Sequence, residues 1–168
     1  MERASAWRFI NPPNALARGI IVNAKGERYC NEGAYGAQLG YHMCEENDGA
    51  GWIIVDAPLY KTALQQVRPG RVWGFQTLIY GMTLLLDTKK GETLAALAQK
   101  VGFDVDTLAT QVEQYNRIAR KEIPDPIQKS EDFFSEINEG PFYAVNIGKH
   151  SKTLPLPVIT FGGLRVDD

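Results

Sequence analysis

The residues able to do chemistry are sparse, and their spacing excludes more than it offers. His42, His150, Cys30 and Cys44 are the only histidines and cysteines in 168 residues. His42 and Cys44 stand two apart, Cys30 lies upstream, and neither H-x-x-x-H nor C-x-x-C occurs, so no metal-ligand spacing is present. The same scarcity argues against a Ser/His or Cys/His nucleophile system. His150, between Lys149 and Ser151-Lys152, reads as an exposed loop histidine. G-x-G-x-x-G, G-x-x-x-x-G-K and G-x-S-x-G are all missing. The usual signatures of dinucleotide binding, phosphate cradling and serine esterase chemistry are therefore missing too. Arg28 is expected to pair with a carboxylate. The Gly162-Gly163 pair breaks a strand-like run and reads as a bulge.

These residues must be held by elements that the pattern partly reveals. Residues 18–32 read as a hairpin: an apolar strand, a tight turn at Lys25-Gly26, and a second strand ending at Asn31-Glu32. Gly33, Gly36 and Gly40 loosen the next stretch, which turns helical towards Met43. Gly51 to Asp56 is a short continuous apolar run, the mark of a buried strand, and a short helix is expected from Leu59 to about Val67. Residues 68–90 are apolar without a clean period, and fit a helix or a loop packed on a partner domain; within them the run 72–86 fits a cavity wall, a domain interface or a core helix. Leu94, Leu97, Ala98 and Val101 mark one helical face, with Gly102 as the stop. Asp104 caps a following helix whose face is Leu108, Val112, Tyr115 and Ala119. Pro141 to Ile147 and Thr160 to Asp167 read as strands. Strands near both ends with a helical pair between them predict an α+β fold, a small mixed or antiparallel sheet with packed helices.

Bulk properties agree with one soluble domain. Hydrophobic residues make up 44%, charged residues 23%, and the net charge is −2, which gives no electrostatic reason to bind nucleic acid. No apolar run approaches the ~20 residues of a membrane span. Met1-Glu-Arg-Ala-Ser lacks a signal-peptide core, and two cysteines do not make a disulfide scaffold, so a cytoplasmic protein is expected. The last residues, Leu164 to Asp168, read as a strand running into an unfinished turn. We therefore expect a piece of a longer protein.

Taken in order, five blocks resemble the segment that flavin-dependent fumarate reductases and 3-ketosteroid dehydrogenases insert into their FAD-binding domain. They are Gly19-Ile-Ile-Val-Asn-x-x-Gly-x-Arg-Tyr-x-Asn-Glu32, the strand Trp52 to Asp56, the helical pair 94–102 and 108–120 with Tyr115-Asn116, Pro141-Phe-Tyr-Ala144, and Thr160-x-Gly-Gly-Leu-x-x-Asp167. The resemblance implies that residues 1–168 are a single capping domain, with the FAD-binding domain outside this chain and FAD held mainly there. It implies a cap that closes over the flavin and shapes the substrate cavity for adding or removing two hydrogens across a C–C bond next to a carbonyl. The substrate would be a small apolar ketone or steroid-like molecule. It further implies that Tyr35 handles a proton as the catalytic residue, that Asn31 and Glu32 line or position the site, and that Thr160, Gly162 and Gly163 lie where the chain returns to the flavin. A fumarate reductase would carry an arginine where Gly36 stands and a histidine where Ile159 stands. A dicarboxylate needs such cations, so the steroid dehydrogenase branch is favoured. The alternatives are a fumarate reductase cap, or a stand-alone α+β module that binds a small ligand or another protein.

Overall fold

The structure, a computed structural model, describes residues 14–34 and 36–153. A short 3-10 turn, Leu16–Arg18, leads into β1 (Ile20–Val22). Then come α1 (Gly36–Tyr41), which runs on as a π turn over His42–Glu46, β2 (Trp52–Val55), α2 (Ala57–Gln66), α3 (Gly74–Leu86) and β3 (Thr88–Gly91). They are followed by α4 (Leu94–Val101), α5 (Val105–Ala119), a 3-10 turn at Glu131–Phe133 and β4 (Phe142–Asn146). The four strands form one antiparallel sheet in the order β1-β2-β4-β3, so the fold is α+β, as expected.

The sheet is covered on both faces, and strand alternation shows why the apolar runs are unbroken. Ile20, Val22 and Ile54 pack with Leu97, Ala98, Leu108, Val112 and Tyr115 of α4 and α5. Their neighbours Ile21, Ile53 and Val55 face the other way, against Leu59 and Ala63 of α2 and Leu84 of α3. The helices start where their caps say they should. Asp56 accepts the Leu59 N–H, Thr93 the Ala96 N–H and Asp104 the Thr107 N–H. Gly102 ends α4 at φ +98°, with its N–H on the Ala98 carbonyl.

Two expectations need correcting. The turn at Lys25-Gly26 is present: Gly26 has φ +91°, and the Asn23 side chain accepts from the Lys25 and Glu27 N–H groups. Its second arm is not a strand, however, and keeps only one bridge, Val22 to Arg28. The Arg28 N–H goes to Gln111 Oε1, while the Ile21 N–H goes to the Glu32 carboxylate. Side chains thus take the donors a ladder would need on that edge of β1, while its other edge pairs with β2, Ile20 opposite Ile54. In addition, the stretch 68–90 holds both α3 and the strand β3, which the sequence reading did not separate. The expected strand from Thr160 to Asp167 lies outside the described residues.

Candidate functional site

A buried ionic cluster organises the segment that carries Asn31 and Glu32. Glu32 is only 6% exposed. Its carboxylate accepts from Arg28 Nε and Nη2, both at 2.8 Å, and from the Ile21 N–H at 3.0 Å. Arg28 also donates to both oxygens of Asp125, at 2.9 and 3.1 Å. Asp125 in turn accepts the Ile127 and Lys129 N–H groups. The Lys129 side chain is fully buried; Nζ donates to the Gly19 carbonyl at 2.7 Å and to Tyr115 Oη at 2.9 Å, and stands 3.4 Å from Glu32 Oε2. Tyr115 Oη donates to the Arg18 carbonyl at 2.7 Å, and both cations lie over its ring. Two cations meet two carboxylates with nearly every donor satisfied, which is the condition for tolerating charge in a core.

The electrostatics follow from that packing. Burial opposes the Arg28 charge, but the bonds and attraction of Glu32, then Asp125, outweigh it and hold the guanidinium pKa above its ordinary range. Burial also opposes the Asp125 charge, and Arg28 reverses this and keeps its carboxyl below the ordinary range. Lys129 is pushed down to about 8, mainly by burial, with Glu32 pulling the other way. Tyr115 is raised by burial and then by Glu32. Cys30 is pushed up to about 12 by burial and then by Glu32, which makes it an inert thiol at neutral pH.

Of the residues the sequence singled out, Asn31 and Glu32 are brought together on this cluster. Asn31 Nδ2 donates to the Gln128 carbonyl, while its Oδ1 takes the Gly33 N–H. Gly36 opens α1, and Arg28 pairs with carboxylates as expected. Tyr35, Thr160, Gly162 and Gly163 fall outside the described residues, as does Ile159. Sequence reasoning missed Asp125 and Lys129. Arg28 and Glu32 sit at i, i+4, but nothing local marks partners 97 positions away. Among the described residues, no group of three or more His, Cys, Asp or Glu is placed to hold a metal.

A second feature lies on α3. Phe75, Leu78, Ile79, Met82, Leu85 and Leu86 all point outward, with Leu85 70% and Leu78 62% exposed. Their spacing follows i, i+3, i+4, i+7, one continuous stripe. Gln76 and Thr83, by contrast, are buried at 3% and 4%. The outward face of α3 is thus apolar, while its inward side mixes Gln76 and Thr83 with Leu84 and Tyr80. Trp73 and Tyr41 add further exposed aromatic surface. No described helix is long and apolar enough to cross a membrane.

The family description FAD binding domain matches residues 14–168. The chain belongs to that family. A 3-oxo-5-alpha-steroid 4-dehydrogenase of Comamonas testosteroni is 39% identical over 168 residues, all of this chain and 32% of that protein. Among solved structures, the 3-ketosteroid-delta4-(5alpha)-dehydrogenase from Rhodococcus jostii RHA1, in complex with 4-androstene-3,17-dione, superposes with a TM-score of 0.65. It shares 23% identity and is matched over 81% of this chain and 26% of its own. The solution structure of a fumarate reductase flavoprotein subunit from Lactobacillus plantarum gives a TM-score of 0.62 at 17% identity, over 87% of this chain and 94% of its own. The chain spans about a third of the length of the curated relatives it matches.

The described residues of this FAD-family chain do not themselves fit the dinucleotide. All strand pairs are antiparallel, so no β-α-β unit directs a helix N-terminus at a pyrophosphate. Where a helix directly follows a strand, after β2 and after β3, its N-terminus is already capped, by the Asp56 carboxylate and the Thr93 hydroxyl respectively. A surface depression of about 370 Å³, beside Lys121, Asp125 and Phe134, is open and lined by a mixture of charged and apolar residues.

Proposed function

We propose that this chain is the substrate-covering cap of an FAD-dependent, steroid-dehydrogenase-like oxidoreductase of the cytoplasm, with the flavin held mainly by a part of the protein outside it. The observation that carries the reading is the outward apolar stripe of α3, a face built to be covered. The likeness to a steroid dehydrogenase over the whole chain but a third of that protein's length supports it. The substrate is a neutral, steroid-like ketone or enoate that gains or loses two hydrogens next to its carbonyl. The two buried cations support this preference over a dicarboxylate: Arg28 and Lys129 are fully committed to Glu32, Asp125, Tyr115 and Gly19. In this reading Tyr35 handles the proton, Asn31 and Glu32 position its loop, and Thr160, Gly162 and Gly163 border the substrate.

The test is spectroscopic. The full-length gene product is expected to purify with flavin absorbance that bleaches on anaerobic mixing with a saturated 3-oxosteroid and not with succinate. This chain alone is expected to emerge colourless from gel filtration. Bleaching by succinate alone would move the assignment to the fumarate reductase branch, and flavin retained by the isolated chain would overturn the cap reading.

A further inference from the structure

We infer that Asp87 is a positioning residue that locks the end of α3, the end of β4 and the strap 151–153 into one unit, so that the α3 face is fixed relative to the sheet. The functional half of this inference rests on the cap reading; the mechanical half rests on geometry alone. Asp87 caps the C-terminus of α3 and is 7% exposed. Among the described residues no salt bridge reaches its carboxylate, which neutral donors satisfy instead. Oδ2 accepts from Ser151 Oγ at 2.7 Å and the Lys152 N–H at 2.8 Å, and Oδ1 from Asn146 Nδ2 at 3.4 Å. The two short bonds both go to the strap. The backbone of Asp87 takes the other two elements: its N–H donates to the Thr83 carbonyl, and its carbonyl accepts the Asn146 N–H.

Threonine chemistry extends the lock into α3. The Thr153 and Thr83 hydroxyls lie 3.1 Å apart, and Thr83 Oγ1 donates to the carbonyl of Ile79, a member of the outward stripe. Thr88 Oγ1 donates to the Thr83 carbonyl and joins the start of β3. Thr83, on the inward side of α3, therefore has a use, since it holds the strap. Burying an acid without a cation is costly unless several donors meet it. A residue serving only to close the sheet would not need the charge.

The experiment compares the full-length gene product with its Asp87→Ala and Asp87→Asn variants by amide hydrogen exchange and by stopped-flow flavin reduction with a 3-oxosteroid. For Asp87→Ala, exchange is expected to rise roughly tenfold or more at residues 83–87 and 148–153 together, with α5 unchanged. Asp87→Asn, which keeps one acceptor oxygen, restores part of that protection. Flavin content and steroid KM hold while the reduction rate falls roughly tenfold or more. Loosening that spreads evenly through α5 and β2, or that leaves the strap protected, overturns the lock. Joint loosening with an unchanged reduction rate overturns its functional role. Joint loosening in a protein that carries no flavin upholds the lock and sinks the cap reading instead.

Discussion

Lys129 brings an ammonium into a site where its side chain has no exposure, and the protonation balance there has a measurable sign. Its pKa falls from 10.5 to about 8, chiefly through burial. Between those values the unfolded chain binds more protons at this group than the folded one, so the Lys129 contribution to stability rises with pH across that window and is flat below it. Charged and titrating neighbours are Glu32, Arg28, Asp125 and Tyr115, with Cys30 close by on the same arm. Cys30 acts oppositely: its thiol is raised from 9.0 to about 12, so its contribution falls as pH rises above 9. Urea unfolding of wild type and Lys129→Met from pH 7 to 10 isolates the lysine. The stability gap between them should widen by roughly 1–3 kcal/mol from pH 8 upward; a gap that narrows would show that the lysine is held charged. At this scale the sequence revealed only local pairs. Arg28 and Glu32, four apart, invited an ion pair. Asp125 and Lys129 reach them only because α5 returns the chain beside β1, which no spacing rule encodes.

Elements were legible where one face was buried and one exposed. The α4–α5 pair followed from Leu94, Leu97, Leu108 and Val112 with Gly102 and Asp104 between them, because a single apolar stripe and two end signals agree. The α3 helix was illegible because Leu84 and Tyr80 turn inward while six other large apolar residues turn outward, leaving no period to read. The β3 strand was missed because Lys89 and Lys90 are exposed on the edge of the sheet, and charged edge strands lack the apolar mark. Gly19 was legible only as part of a motif, and the structure adds its reason. Its φ is −77°, so conformation does not demand glycine, but a Cβ there would lie 2.3 Å from the Ile54 carbonyl oxygen. Gly19→Ala must push β1 off β2 and should cost at least ~2 kcal/mol in thermal or urea melts. Gly40 has nothing within 4 Å of an added Cβ and lies inside α1, so Gly40→Ala should gain about 0.5–1 kcal/mol. Equal effects at the two sites would contradict the close β1–β2 approach.

For the whole molecule, the decisive asymmetry is between a well-satisfied interior and an unsatisfied face. Charges, caps and strand donors inside find partners, yet the α3 stripe offers large apolar side chains to water. A monomer rarely leaves so continuous a patch uncovered, and the same patch drives self-association when its proper cover is missing. The isolated chain should therefore show a sedimentation coefficient that rises with concentration. Replacing Leu78 and Leu85 by lysine should make it monomeric while leaving the melting temperature nearly unchanged, because these exposed side chains add little to the core. The full-length product should respond in the opposite way. If, as proposed, the flavin-bearing part covers the stripe, the two lysines would bury charge without a partner, and steroid-driven flavin reduction should slow while the flavin domain still binds its cofactor. If the lysine pair leaves the full-length protein as active as wild type, α3 faces solvent there too, and the covering surface of the cap must be sought on another side of the sheet.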